Sequence, residues 1–397
     1  MSKTPIKADI VFIDSQQKLA AFCTELKGTT RLAVDTEFVG EKYYFPKLEV
    51  VQLRGDSGAV GIVDAQTIRD WAPLAALLAD PAILKLFHAA DQDVEILGRA
   101  TGVLTAPLAD TQLAASMLGF GAQISLVNLV RALADVELSG KQTTSDWSHR
   151  PLTPEQIEYA AADVLYLHHM DSQLSADLTA RGRDGWFRDE QASRLASYRT
   201  TAPDPMEAWR RVKDWASLTG RDLAVLRELA ALREERARER NVPRKLVLTD
   251  ESLVELARFQ PDTLDKVSKL RRVNPSQVSR LFADIREATR RGKLLPKEQW
   301  PSKPAGERVE IPAGLVELCQ ALLRTEAENH GVAPTIIATT SELTQVVIER
   351  ESLDVLDNPL LKGWRRELVG ERLVRLLRGQ VQVVVARDGT LLFEDRA

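Results

Sequence analysis

Cysteine is almost absent: Cys23 and Cys319 are the only two in 397 residues. Two thiols so far apart offer no disulfide framework and no thiolate metal site, and they fit a reducing cytoplasm. Histidine is also scarce, five against 57 acidic residues, which argues against zinc. No apolar run is long enough to span a bilayer. The opening MSKTPIKADIVFID lacks the basic start and apolar stretch of a secretory signal, so a cytoplasmic location is expected. There is no glycine-rich phosphate loop, hence no helicase or polymerase motor. What is present is 44% hydrophobic and 28% charged, the composition of a globular protein. The length is too great for one core and predicts two or three domains.

The net charge of −4 hides a split. Residues 1–200 hold 19 basic and 26 acidic side chains, residues 201–300 hold 22 and 16, and residues 301–397 hold 12 and 15. An acidic unit followed by a basic one suits a division of labour in which one holds metal and the other a polyanion. A solvated helix face would give the same basic stretch.

The patterning divides the chain further. Arg31–Val34, Leu48–Leu53 and Ala59–Val63 read as strands, with Gly55, Asp56 and Gly58 marking a turn, and Ile83–Phe87 reads as a buried strand. Helical spacing follows to about residue 197, giving a mixed α/β unit. Proline-rich breaks near 200–205 and 295–312 bound a helical stretch from 206 to 292. A last stretch, 313–397, is helical and ends in a β-like tail with a turn at Asp388-Gly389. A shift of about 90 residues lays Leu226, Ala231, Leu232, Val242 and Leu253 on Val316, Ala321, Leu322, Val332 and Leu343. The apolar frame is kept, whereas Arg233, Arg244 and Lys245 become Leu323, Pro334 and Thr335.

Five residues carry the chemistry. Asp35 and Glu37 are two apart at the end of an apolar strand, so both project from one face. Asp93 falls near the start of a helix beginning about Asp91, and Asp91 itself reads as a cap. Tyr159 and Asp163 are four apart in a helical run, Ile157–His168, and share a face. Four acids converging on one point repel one another unless hard cations fill the site, and a pair of Mg²⁺ ions is the simplest candidate. Thr153 reads as the cap of this helix with Pro154 at its first position, and Trp147 as a core plug.

The runs AVDTEF (33–38), FHAADQDVEIL (87–97) and DWSHRPLTPEQIEYAAADVLYL (146–167) resemble the three exonuclease motifs of the ribonuclease D family. That family lies in the DEDD superfamily of 3′→5′ exonucleases, in the branch with a tyrosine in the third motif. The basic region 206–292 resembles the HRDC domain, and 313–397 a second, diverged copy. The resemblance implies a ribonuclease H-like α/β exonuclease domain over residues 1–200, a mixed sheet flanked by helices, followed by two small all-α domains. It implies two divalent ions, Mg²⁺ or Mn²⁺. Asp35 would bridge them, Glu37 and Asp163 would complete the water-activating site, Asp93 would hold the second ion and Tyr159 would orient the attacking water. The implied partner is RNA with a structured 3′ end, such as a tRNA precursor, cut to nucleoside 5′-monophosphates by a monomer.

Candidate substrate contacts are His88, five residues before Asp93, Lys141 before Asp146-Trp147, and Trp209 and Arg244 in the basic region. Arg236, Arg238 and Arg240 have Glu234, Glu235 and Glu239 as alternative partners along the helix. A DNA exonuclease of the same superfamily would share these motifs, the distinction resting on contacts to the 2′-OH. A binding adaptor on a silent nuclease fold is the other reading, opposed by the intact set of five residues.

Overall fold

The computed structural model describes residues 6–56, 58–138, 145–198, 204–301 and 311–396. Two compact units account for the chain, and neither is one continuous stretch. The first comprises 1–37, 49–200 and 309–397; the second comprises 38–48 and 201–308.

The first unit is built on a six-stranded mixed sheet ordered β1-β4-β3-β2-β5-β6. Its strands are β1 (Ile10–Ile13), β2 (Arg31–Val39), β3 (Lys47–Arg54), β4 (Val60–Asp64), β5 (Leu84–Phe87) and β6 (Leu108–Asp110). β1 runs parallel to β4, β3 antiparallel to β4, and β5 parallel to both β2 and β6. β2 starts as a two-sided core strand, with Leu32, Ala33 and Val34 fully buried. The helices of this part are α1 (Gln16–Glu25), α2 (Ala72–Ala79), α3 (Asp91–Thr101), α4 (Thr111–Ser116), α5 (Leu126–Ala134), α6 (Pro154–Leu165), α7 (Leu167–Ala180) and α8 (Asp184–Ser197).

The short outer strands β1 and β6 escape the sequence pattern, being only four and three residues long. The expected helix Ile157–His168 is interrupted: α6 ends at Leu165, and Tyr166 separates it from α7. Thr153 caps α6 as expected, in a reciprocal capping box with Gln156 and with Pro154 in the first turn. The α6 residues Ala160, Ala161 and Val164 pack with Ala33, Val50 and Ile62 of the sheet.

The last stretch of the chain belongs to this unit too. Here α14 (Leu315–His330), α15 (Pro334–Ile337) and α16 (Thr340–Ile348) are followed by α17 (Gly363–Arg365), a π-helical turn Arg366–Gly370 and α18 (Glu371–Leu377). The β-like tail is an antiparallel hairpin, β7 (Val381–Val385) with β8 (Leu391–Asp395). Leu322, Ile337 and Trp364 share one core with Met117, Leu118 and Met170. Arg183, 8% exposed, donates to the carbonyls of Met117, His330 and Gly331.

In the second unit a 3₁₀ turn, Pro205–Arg211, precedes α9 (Gly220–Arg240), α10 (Arg244–Val247), α11 (Asp250–Phe259), α12 (Leu264–Ser268) and α13 (Pro275–Leu294). Helices α9 and α13 approach so closely at Gly292 that a Cβ there would lie 2.6 Å from the Val225 Cα. Residues 38–48 join this unit through Tyr44 and Phe45. The Tyr44 hydroxyl donates to Glu234 and accepts from Arg238 and Arg244, and the Phe45 amide donates to Asn241.

The 90-residue echo holds at the level of helix ends. α10, α11 and the α11 cap Thr249 recur as α15, α16 and Thr339, and the left-handed residue closing α9, Asn241, recurs as Gly331 closing α14.

Candidate active site

β2 delivers Asp35 and Glu37 just beyond its buried start, and α6 delivers Asp163 from its last turn. Carboxylate oxygens of the three lie within 4.8 Å of one another. Asp93, in the first turn of α3, is 7% exposed and accepts a hydrogen bond from the Thr36 hydroxyl.

The electrostatics follow from crowding like charges in a half-buried place. Burial, then the charges of Asp93, Asp163 and Glu37, hold the Asp35 carboxyl well above its ordinary range. Burial, then Asp163 and Asp93, raises Glu37 to about 9. Burial and the charge of Asp93 raise Asp163 to about 8. Asp93 rises to about 7 through burial, against the pull of its Thr36 hydrogen bond. Such a group binds protons tightly for want of positive charge. Closely set oxygens from two rigid elements suit a hard divalent cation, so the residues present fit a metal site.

Tyr159 stands one turn before Asp163 on α6. The buried Trp147 lies against it, ring centroids 6.1 Å apart, and fills the core beneath as expected of a plug. Asp91 does not cap α3. Ala90 holds the cap position, and the Asp91 carboxylate instead accepts from the Tyr198 hydroxyl at 2.8 Å.

Two supporting residues escaped the sequence reading. Thr36 lies between two acids in the sequence and has no local mark of its bond to Asp93. Asp110 caps α4 and accepts from the amides of Ala89 and Ala90 at 3.0 and 3.1 Å. It thereby holds Ala89, at φ 66°, in the bend that launches α3 and Asp93. An aspartate ahead of Thr111 and an apolar run carried a cap signal, but its second pair of donors lies across the fold.

The structure gives three of the four expected substrate contacts other work. His88 has both ring nitrogens engaged, Nδ1 with the Thr111 hydroxyl and Nε2 with the Ile124 carbonyl, each at 2.9 Å. Trp209 is 1% exposed, a core residue edge-on to Trp215, with no free face for a base. The Arg244 guanidinium is bound to Glu234 at 2.6 and 2.7 Å and stacks over Tyr44. Lys141 lies outside the described residues. Of the helix arginines, Arg236 pairs with Glu239 and Asp284, and Arg238 with Glu234.

Residues 10–179 match a family model described as a 3′-5′ exonuclease, and residues 222–289 match the HRDC domain. The chain is 39% identical over 390 residues to ribonuclease D of Acidiphilium cryptum, covering 96% of each. It is 37% identical over 384 residues to ribonuclease D of Nitrobacter hamburgensis, covering 96% of this chain and 99% of the relative. The crystal structure of Escherichia coli RNase D, described as an exoribonuclease involved in structured RNA processing, resembles it with a TM-score of 0.83. There the identity is 29%, over 94% of this chain and 99% of that one.

Proposed function

This chain belongs to the ribonuclease D family, and on that premise we propose how its own residues shorten RNA. It is a 3′→5′ exoribonuclease. The observation that carries the mechanism is the cluster of Asp35, Glu37 and Asp163 oxygens within 4.8 Å. Two divalent ions, Mg²⁺ or Mn²⁺, would be held here, one by Asp35 with Glu37 and Asp163 and the other by Asp35 with Asp93. When bound, the ions supply a lowered pKa for the attacking water and countercharge for the leaving 3′ oxygen.

The side chains do the rest. Tyr159 orients the water by hydrogen bond. A phenol with an ordinary pKa of about 10 is a poor base at neutral pH, so its role is positional. Water adds to the terminal phosphate, the bond to the penultimate 3′ oxygen breaks, and a nucleoside 5′-monophosphate leaves. The four raised carboxyls give up their protons when cations arrive, so the same crowding that penalises the metal-free site favours its loading.

We assign residues 1–200 to the exonuclease domain, 206–292 to an HRDC domain and 313–397 to a second, diverged copy. The first helical domain holds RNA through its backbone phosphates. Structured 3′ ends, tRNA precursors among them, are the substrates of a cytoplasmic monomer.

The test is digestion of 5′-labelled single-stranded RNA and DNA with Mg²⁺, Mn²⁺ or EDTA. A ladder shortening from the 3′ end of RNA, lost in EDTA and in Asp35→Asn, is expected. Preference for DNA would overturn the substrate, and folded protein that binds without cutting would overturn the activity.

A further inference from the structure

We propose that a cleft in the first helical domain, between the Pro205–Arg211 turn, α9 and the α10–α11 turn, seats one backbone phosphate of the RNA, with Arg211 and Lys245 as its ligands. This rests on the reading of the chain as an exoribonuclease. The cleft has a volume of about 460 Å³ and is lined by Arg211, Arg233, Arg244 and Lys245, with Glu234, Asp250 and Glu251 among them.

Its charges divide into spent and unspent. Arg233, 4% exposed, is bound to Asp250 at 2.6 Å and to the Leu248 carbonyl at 3.2 Å, and its Nε has no partner among the described residues. Arg244 and Glu234 hold each other and Tyr44. Both pairs are neutral overall and form a fixed wall. Arg211 and Lys245 are exposed, and among the described residues neither side chain has a hydrogen-bond or ion partner; the Lys245 carbonyl accepts from Gln277. One unpaired carboxylate opposes them, Glu251, and it sits in the first turn of α11, where the helix dipole offsets its charge. Two free cations against one offset anion leave the cleft attractive to a phosphate.

The repeat supplies an internal control. The second helical domain has a cleft at the equivalent place, about 110 Å³, lined by Leu323, Arg324, Pro334, Thr335 and Thr340 among others. These stand where the first has Arg233, Glu234, Arg244, Lys245 and Asp250. Helices α15 and α16 form there, α16 with a threonine cap like that of α11, so the fold does not need the charges. Partly buried ion pairs contribute little net stability, so folding alone gives no reason to keep them. Arg244 and Glu234 are accounted for by Tyr44. The Arg211 and Lys245 side chains are not accounted for by any hydrogen bond or ion pair among the described residues.

The experiment uses the full chain with Arg211→Ala and Lys245→Ala together, and fluorescence anisotropy of 5′-labelled single-stranded RNA in EDTA. The Kd is expected to rise about tenfold, and the slope of log Kd against log salt to fall by about 0.7, one single-strand phosphate's worth. The charge-keeping pair Arg211→Lys and Lys245→Arg is expected to bind like the original. Unchanged affinity and slope in the alanine pair would overturn the site, as would equal loss in the charge-keeping pair. Hydrolysis of a dinucleotide with Mg²⁺ by the unaltered chain checks the exonuclease reading separately. If the unaltered chain cannot hydrolyse that dinucleotide, the exonuclease reading fails, while the anisotropy result still decides the cleft.

Discussion

The Thr36 hydroxyl donates its hydrogen bond to the Asp93 carboxylate, tying a residue of β2 to a residue of α3. Alternation along the strand turns Thr36 away from Asp35 and Glu37, so one strand serves the acidic site from both faces. Replacing Thr36 by valine keeps the shape and removes the donor. A hydrogen bond to a charged group contributes roughly 1.5–3 kcal/mol, so turnover is expected to fall about tenfold or more. Serine should restore it. Steady-state kinetics with unchanged kcat in Thr36→Val would remove Thr36 from the site's support.

Tyr159→Phe keeps the ring against Trp147 and deletes only the hydroxyl. Turnover is expected to drop about 10- to 100-fold, as for a lost positioning contact, with the melting temperature nearly unchanged. A variant as fast as the original would leave the attacking water without its proposed guide.

Metal and pH should act together on stability. The Glu37, Asp93 and Asp163 carboxyls, at about 9, 7 and 8, bind protons more tightly folded than unfolded. Without metal, their ionisation therefore destabilises the fold progressively as pH rises from the unfolded values near 4 through the folded ones. Divalent cations replace those protons. The rise in melting temperature on adding Mg²⁺ or Mn²⁺ is expected to be large near pH 9 and small near pH 5. A metal effect independent of pH, or one that survives Asp163→Asn in full, would contradict this.

Glu234 titrates the other way. Burial alone would raise it, but hydrogen bonds from Arg244 and Tyr44 prevail and bring it down to about 2. Its stabilising effect is complete above the unfolded value near 4.5 and is lost as pH falls towards about 2. Tyr44→Phe removes one of those donors, so acid unfolding followed by circular dichroism should begin at higher pH. Superimposable acid transitions would mean that the Tyr44 bond does not hold Glu234 ionised.

Spacing puts Asp35 with Glu37 and Tyr159 with Asp163, because alternation along a strand and recurrence along a helix are local rules, and the order of the motifs adds Asp93. The cap at Thr153 and the 90-residue echo were legible for the same reason: caps and turns repeat in the sequence itself. Support from elsewhere in the fold was not legible. Nothing local distinguishes Thr36 as a donor to Asp93, or Asp110 as the anchor of Ala89. Exposure was equally hidden. Trp209 and Arg244 looked available in a basic stretch, yet one fills a core and the other is held by Glu234 and Tyr44. Both assignments depend on neighbours brought in by folding.

Immediately after Glu37 the polypeptide becomes part of the helical unit, and it returns to the sheet unit at Glu49. The last stretch of the chain, in turn, completes the core beneath α4 and α7. Each unit is therefore assembled from stretches that are far apart in the chain. Stopping the chain at residue 200 would strip Tyr44 and Phe45 of their partners and uncover Met117, Leu118 and Met170. Such a fragment is expected to aggregate, and a smaller working enzyme would need redesign of both exposed faces.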